Sequence, residues 1–343
     1  MNILFDINHP AHVHLFKNAI QILQRKGHHV IVTSRDKDIT LKLLDNYHIK
    51  HVLLSRAQKG LIRLGLELIW RQWKLLGLLL RNKVQICISV TGACNVHICK
   101  ILNIPTLVFY DTEHADLQNK LTLPFVTEFI SPEYFTERWG KKHKTYNGVH
   151  DLAYLHPHYF KASDKIYSLL GLKQKEPFVI LRFVSWEAAH DIGHQGISTV
   201  LKRKIIELCS RYAKVFIAFE GKIDDEFEPY KFPIAPERMH DALAHALLYI
   251  GEGGSMATEA AVAGTPSLFI STLTAGVFDE YEKNYQLMFS FRPDQIDDIL
   301  AKIQSLLTTK NIKDVWAKRK NKFISDKLDL TEYMVDKILS YQS

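Results

Sequence analysis

Cysteine is scarce in this sequence: Cys87, Cys94, Cys99 and Cys209 are the four in 343 residues. None of them is spaced as C-x-x-C or as a set of zinc ligands, which excludes a disulfide scaffold and a redox pair and points to reduced thiols in a reducing compartment. Long apolar runs are missing too, since no stretch reaches the roughly 18 uncharged apolar residues of a spanning helix. The opening MNILFDINHP has neither the basic segment nor the small-residue cleavage site of a secretory signal. A cytoplasmic location is therefore expected, with the inner face of the cell membrane as the alternative placement. Low-complexity tracts, short-period repeats and blocks of like charge are also absent. The formal charge of +7 suits an anionic partner, but acids and bases are interspersed and no nucleic-acid motif is present. Nucleotide phosphates or an anionic membrane surface fit better than DNA or RNA.

What is there is an alternation of buried strands and helices. Ile3 to Ile7 reads as a strand, Asn8 to Ala11 as a loop, Val13 to Arg25 as a helix, and Val30 to Val32 as the next strand. The pattern returns at Val84 to Val90 and Pro105 to Tyr110, as expected for a parallel, helix-covered sheet. Between about Lys141 and Glu176 the chain turns polar and aromatic, and a new strand series opens at Phe178. The expected organisation is an N-terminal Rossmann-like domain at 1–155, a linker at 156–176, a C-terminal Rossmann-like domain at 177–320, and a closing helix at 321–343. The fold class is α/β, two parallel-sheet domains facing one cleft.

The most informative segment is Gly251-Glu252-Gly253-Gly254-Ser255-Met256-Ala257-Thr258-Glu259, which follows a strand and leads into a helix. Gly253 and Gly254 permit positive φ and close backbone approach, and Ser255 is an N-cap candidate. Free amides in the first helical turn favour a diphosphate. Glu259, one turn on, lies where a carboxylate can accept ribose hydroxyls. The bland alternative is a simple chain reversal with Glu259 in solvent.

At the end of the first strand His9, His12 and His14 surround Pro10. An imidazole titrating near neutrality suits the removal of a proton from a hydroxyl, with His12 the first choice and His14 the second. The alternatives are a capping role or a His-x-His metal pair, and no metal site is expected because further ligands are not evident. His190, Asp191 and His194 read as a polar loop rather than a second metal centre. Asp111 and Glu113, after Tyr110, put carboxylates at the carboxyl edge of the same sheet, as a base, as partners of His12, or as a solvated loop. Gly60 to Arg81 reads as an apolar helix with Arg63, Glu67, Arg71 and Lys74 on one stripe. Its wide apolar face, with Trp70 and Trp73, either covers the sheet, which is the expected role, or sits in a membrane interface.

The pattern GGSMATEAAVAGTP, with Arg25-Lys26-Gly27-His28-His29-Val30, resembles the GT-B class of nucleotide-sugar enzymes, especially the peptidoglycan N-acetylglucosaminyltransferase and the UDP-N-acetylglucosamine 2-epimerase. Asp6-Ile7-Asn8-His9-Pro10-Ala11-His12-Val13-His14, Glu220-Gly221-Lys222 and Met239-His240-Asp241 resemble more closely the glycosyltransferase-like family called domain of unknown function 354. The likeness implies that Glu259 binds the nucleotide ribose and that Gly253, Gly254 and Ser255 hold the donor diphosphate. It also implies that Arg182 and Ser185 touch that diphosphate and that Met239 and His240 border the base. Only Ala11-His12 matches the Gly-His end of the transferase's first loop. The implied partners are a nucleoside-diphosphate sugar and a glycan or lipid-linked acceptor, with peripheral membrane contact as an accompaniment. No separate cofactor is implied. Sugar transfer is the expected reaction, 2-epimerisation the second reading, and non-catalytic nucleotide-sugar binding the third.

Overall fold

The computed structural model describes residues 1–58, 60–111, 116–135, 137–183, 196–219, 224–273 and 275–342. The chain divides into two compact units, one made of Met1–Tyr159 with Lys327–Ser343, the other of Phe160–Asp326.

The first unit holds seven parallel strands: β1 Asn2–Ile7, β2 His29–Asp36, β3 Val52–Arg56, β4 Ile86–Ser89, β5 Thr106–Phe109, β6 Glu128–Pro132 and β7 His143–Tyr146. Their order is β3-β2-β1-β4-β5-β6-β7. β1 is central and almost wholly buried, so its polar Asp6 needs internal partners. The first helix spans Pro10–Arg25 and begins three residues before the expected Val13. Pro10 is the reason: it lacks an N–H and its ring presets the φ of a first helical residue. His9 is extended, and its ring Nδ1 accepts from the Ala11 N–H at 3.2 Å, closing the terminus. His12 consequently lies in the helix and not before it, while His14 lies in the helix as expected.

Three further expectations change. The polar stretch that opens at Lys141 holds regular structure: His143–Tyr146 forms edge strand β7, where charged side chains blunt an exposed edge. The 156–176 segment contains the change of unit at Tyr159 and a helix at Lys165–Leu169, whose Tyr167 ring packs edge-on against Phe178. The closing segment 321–343 is split. Residues to Asp326 finish the helix Ile312–Asp326 of the second unit, whereas Leu330–Leu339 returns to the first. There Thr331 Oγ1 donates to the Ala153 carbonyl at 2.8 Å, and Lys337 and Tyr341 both reach Glu128.

The helix Leu61–Arg81 is turned over relative to the expected arrangement. Leu75 and Leu79 pack with Leu4, Ile31, Leu54 and Cys87 under the sheet, but Glu67 and Arg71 are buried beside them. Arg35 on β2 and Asp6 on β1 draw the charged stripe inward. The tryptophan face is left outside. Among the described residues no helix is long and apolar enough to cross a membrane.

The second unit holds five parallel strands: β8 Phe178–Phe183, β9 Lys214–Phe219, β10 Leu248–Gly251, β11 Ser267–Ile270 and β12 Met288–Phe291, in the order β12-β11-β10-β8-β9. β8 runs to β9 on one side, and the chain then crosses to β10 on the other. The boundary between β8 and β10 is a topological switch point, the place where open α/β sheets gather ligands at strand carboxyl ends. In the first unit the equivalent boundary lies between β1 and β4, where Asp6 pairs in register with Ser89.

Candidate functional site

At the second unit's switch point, Gly251 and Arg182 are register partners at the ends of β10 and β8. The Glu252 N–H donates to the Arg182 carbonyl at 3.1 Å, which fixes the start of the turn. A Cβ on Gly251 would lie 2.8 Å from Arg182 Cβ, and one on Gly254 would lie 2.9 Å from the Phe278 ring. These glycines are required by close approach rather than by handedness. Gly253 is extended at φ −93° and Gly254 opens the helix, so the expected positive φ is found at neither. Gly264, at φ +90°, is the left-handed residue of the segment and ends the helix Gly254–Ala263.

Gly253, not Ser255, occupies the N-cap position, and no side chain caps that terminus. Ser255 is exposed in the first turn. The leading amides, with the partial positive charge of the helix end, suit an anion. Arg182 stands next to them. One turn on, Glu259 is buried, and its Oε1 lies 3.1 Å from His240 Nε2. His240 sits in the first turn of the helix Met239–His245, directly after Met239, with the Phe160 ring 6.3 Å away. The structure thus brings Arg182, Gly253, Gly254, Ser255, Glu259 and His240 to one strand-to-helix turn and its border. Ser185 lies outside the described residues, as do Glu220, Gly221, Lys222, His190, Asp191 and His194.

Sequence reasoning missed Glu252. It is buried, and its Oε1 accepts the Ile197 N–H at 2.5 Å, tying the glycine turn to the entry of helix Thr199–Ser210. A carboxylate between two glycines was the available signal. Tyr249, wholly buried below the turn, has its hydroxyl pKa driven up by burial, opposed by Arg182 and reinforced by Glu259 and Glu252.

At the first unit's switch point, Asn8, His9, His12, Arg35, Arg71 and Thr91 line a cavity of about 460 Å³. Its floor is an ion pair. Asp6, fully buried, accepts from Thr33 Oγ1 at 2.9 Å, from Asn8 Nδ2 at 3.1 Å and from Arg71 Nη2 at 3.3 Å. Burial is the largest influence and opposes the charge of Arg71, but Asp6, Cys94 and Glu67 together outweigh it and the guanidinium pKa rises. Beside it Arg35 grips Glu67 in a fork, at 2.6 and 2.7 Å, while Ser55 and the Gln58 amide donate to the same carboxylate. Burial alone would raise the Glu67 pKa, yet these bonds bring it below the ordinary value.

His12 is buried, and its Nδ1 accepts the Asn8 N–H at 3.3 Å, so the neutral ring carries its proton on Nε2. Burial, with the nearby His9 charge, pushes its pKa down to about 3, although Asp111 pulls the other way. His14 points to a different packing surface, its ring 5.9 Å from Tyr47 and 5.3 Å from Tyr154. The two histidines do not converge, and a His-x-His metal pair is not formed. Asp111 Oδ2 accepts from His150 Nδ1 at 3.0 Å. The charges of both residues act on His12. His150, which follows β7, is a candidate that the sequence did not offer, because its partner is 39 positions away. Its Nε2 is buried with no hydrogen-bond partner among the described residues. Glu113 lies outside those residues. Among them, the His/Cys/Asp/Glu group with converging ligand atoms is His156, His158 and Asp329, within 4.8 Å of one another. There Asp329 already accepts from His158 and from the Thr331 and Glu332 amides that begin the last helix.

The model of the family described as protein of unknown function (DUF354) matches residues 1–343. The chain belongs to this family. Uncharacterized protein MJ0665 of Methanocaldococcus jannaschii is 27% identical over 286 residues, 78% of this chain and 81% of that protein. Among solved structures, the UDP-GlcNAc 2-epimerase of Neisseria meningitidis bound to UDP-GlcNAc superposes with a TM-score of 0.70 at 13% identity, covering 99% of this chain and 100% of the other. MurG of Acinetobacter baumannii superposes with a TM-score of 0.59 at 15% identity, covering 99% and 100%. The DUF354 chain has the GT-B fold, with two parallel-sheet α/β units, as the sequence led one to expect.

Proposed function

We propose that this protein is a GT-B glycosyltransferase that moves a sugar from a nucleoside-diphosphate sugar, UDP-linked, to an acceptor hydroxyl in cell-surface glycan synthesis. The observation that carries the reading is the uncapped helix terminus after Gly253, flanked by Arg182 and followed one turn later by the buried Glu259–His240 pair. In this reading the amides of Gly254 and Ser255, together with Arg182, hold the diphosphate and take up the charge that develops as it leaves. Glu259 accepts two ribose hydroxyls, oriented by His240, and Met239 borders the base. No metal ion is invoked.

The acceptor, a glycan or lipid-linked hydroxyl, occupies the first unit's cavity. The proton acceptor assigned is the Asp111–His150 pair, which does not line that cavity itself but acts on His12, which does; a carboxylate on Nδ1 leaves Nε2 as the base. His12, held neutral with its proton on Nε2, is better suited to donate a hydrogen bond than to take a proton. His14 has a packing role. The protein acts on the cytoplasmic side, at the inner membrane face, without a nucleic-acid partner.

The same Asp111–His150 pair next to His12 also favours a second reading, 2-epimerisation, which needs an acid and a base at one carbon. Incubation with UDP-N-acetylglucosamine in deuterated water separates the readings. Transfer needs an added acceptor and leaves the sugar C2 unlabelled. Epimerisation needs none and places deuterium at C2. A binding protein is stabilised by the nucleotide and yields no product, which would overturn both enzymatic readings.

A further inference from the structure

The helix Leu61–Arg81 carries its apolar face outward. Ile62, Leu66, Trp70 and Trp73 are 82%, 62%, 58% and 75% exposed, and Ile69 and Leu80 extend the same stripe. The spacing i, i+4, i+7, i+8, i+11 places these side chains on one side of the helix. A helix of 21 residues is about 30 Å long, so the stripe is a ridge rather than a spot. Leu66, Ile69, Trp70 and Trp73 enclose an apolar hollow of about 350 Å³. Alongside, Leu53, Arg56, Arg63, Leu66, Trp70 and Lys74 line a groove of about 640 Å³.

The exposed charges on the helix itself are of one sign, while Arg56 across the groove pairs with Asp36. Arg63, Lys74 and Arg81 are exposed on the same helix and follow one edge of the stripe, and the Lys74 ammonium lies 5.2 Å from the centre of the Trp70 ring. Glu67, the helix's one acid, is buried under Arg35, Ser55 and Gln58. The surface therefore offers apolar side chains, two interfacial indoles and cations, with no exposed carboxylate on the helix.

We propose that this face is a membrane-docking surface, which lies in the interface of a bilayer rich in anionic phospholipid. Tryptophan favours the headgroup level, aliphatic side chains enter the acyl boundary, and each cation near an anionic surface adds about 1 kcal/mol. A second copy of this chain fits less well, because a two-fold interface would set the same cationic edge near itself. The surface gives the membrane location of the proposed function its residues and rests on that reading for location alone, not on the donor site.

Flotation of the full chain with vesicles tests it without any nucleotide. Vesicles of phosphatidylcholine with about one third phosphatidylglycerol should carry the protein up, shift its tryptophan emission to the blue, and lose most of it at high salt. Neutral phosphatidylcholine vesicles should carry several-fold less. Trp70→Glu with Trp73→Glu should reduce the bound fraction by about 10-fold or more, at an unchanged melting temperature, since both side chains are exposed. Equal binding by this variant, no binding of folded wild type to anionic vesicles, or a dimer that Trp73→Glu separates while vesicles capture nothing, each overturns the proposal. Loss of vesicle binding with nucleotide stabilisation intact removes the docking surface alone; the reverse removes the donor site alone.

Discussion

The two switch points end their central strands in opposite ways. After β1 the helix terminus is closed by side chains: Pro10 removes one amide, the His9 ring takes another, and His12 accepts from Asn8. After β10 the terminus is left without a side-chain cap, and glycines clear the approach to it. The same strand-to-helix unit is thus finished as a polar cavity over a buried ion pair in one half and as a helix terminus without a side-chain cap in the other. What separates them is whether the sequence spends side chains on the amides. Under the proposed function, the donor diphosphate goes with the open turn and an uncharged acceptor hydroxyl with the closed one.

Breaking the closed end should cost the most. Arg71→Met leaves the Asp6 carboxylate buried beside Thr33 and Asn8 without its counter-charge, and a loss of about 3–5 kcal/mol in urea unfolding is expected. A loss under about 1 kcal/mol would show that the two neutral donors suffice. Next comes the acid limb of the stability profile. The folded pKa of His12 is depressed to about 3, so the unfolded chain binds the extra proton first, and stability is retained above the unfolded value and falls as pH drops from about 6.5 toward 3. His12→Phe should flatten that fall by about 2–3 kcal/mol near pH 4.5 relative to neutral pH, and an unchanged slope would mean that another group governs it.

At the open end, Arg182→Met should weaken nucleoside diphosphate binding by about 10- to 100-fold in titration calorimetry while leaving the nucleoside alone unaffected. Equal loss for both ligands would move the arginine away from the phosphates. The smallest effect is expected at the far end of the same helix. Gly264→Ala forces a side chain into φ +90° next to Lys320 and should cost about 1–2 kcal/mol of stability with nucleotide affinity unchanged.

Sequence pattern was sufficient for much of this. The buried runs at β1, β4, β5, β8, β10 and β11, and the glycine turn before an alanine-rich helix, are local signals of period and composition, and they are found where expected. Residues that depend on a distant partner were illegible. The inward turn of Glu67 and Arg71 is set by Arg35 and Asp6, and a wheel drawn for the helix alone points its apolar face the wrong way. His150 acquires meaning only through Asp111, and Lys141–Lys144 become half an edge strand only because β6 offers a partner. Gly254 was identified for the wrong reason, since crowding by Phe278, like that of Gly251 by Arg182, is invisible in sequence while turn propensity is not.

The most direct measurement is the melting temperature of wild type and Glu259→Ala against a panel of nucleoside diphosphates and their sugars, since a ligand that binds only the native state raises it by mass action. At 100 times its Kd a ligand contributes about 2.7 kcal/mol. Stabilisation by one nucleotide diphosphate, lost in Glu259→Ala while the unliganded melting temperature stays within a few degrees, is the expected result. Folded wild type that no nucleotide stabilises, or a shift that persists in Glu259→Ala, contradicts the assignment of the open turn as the donor site.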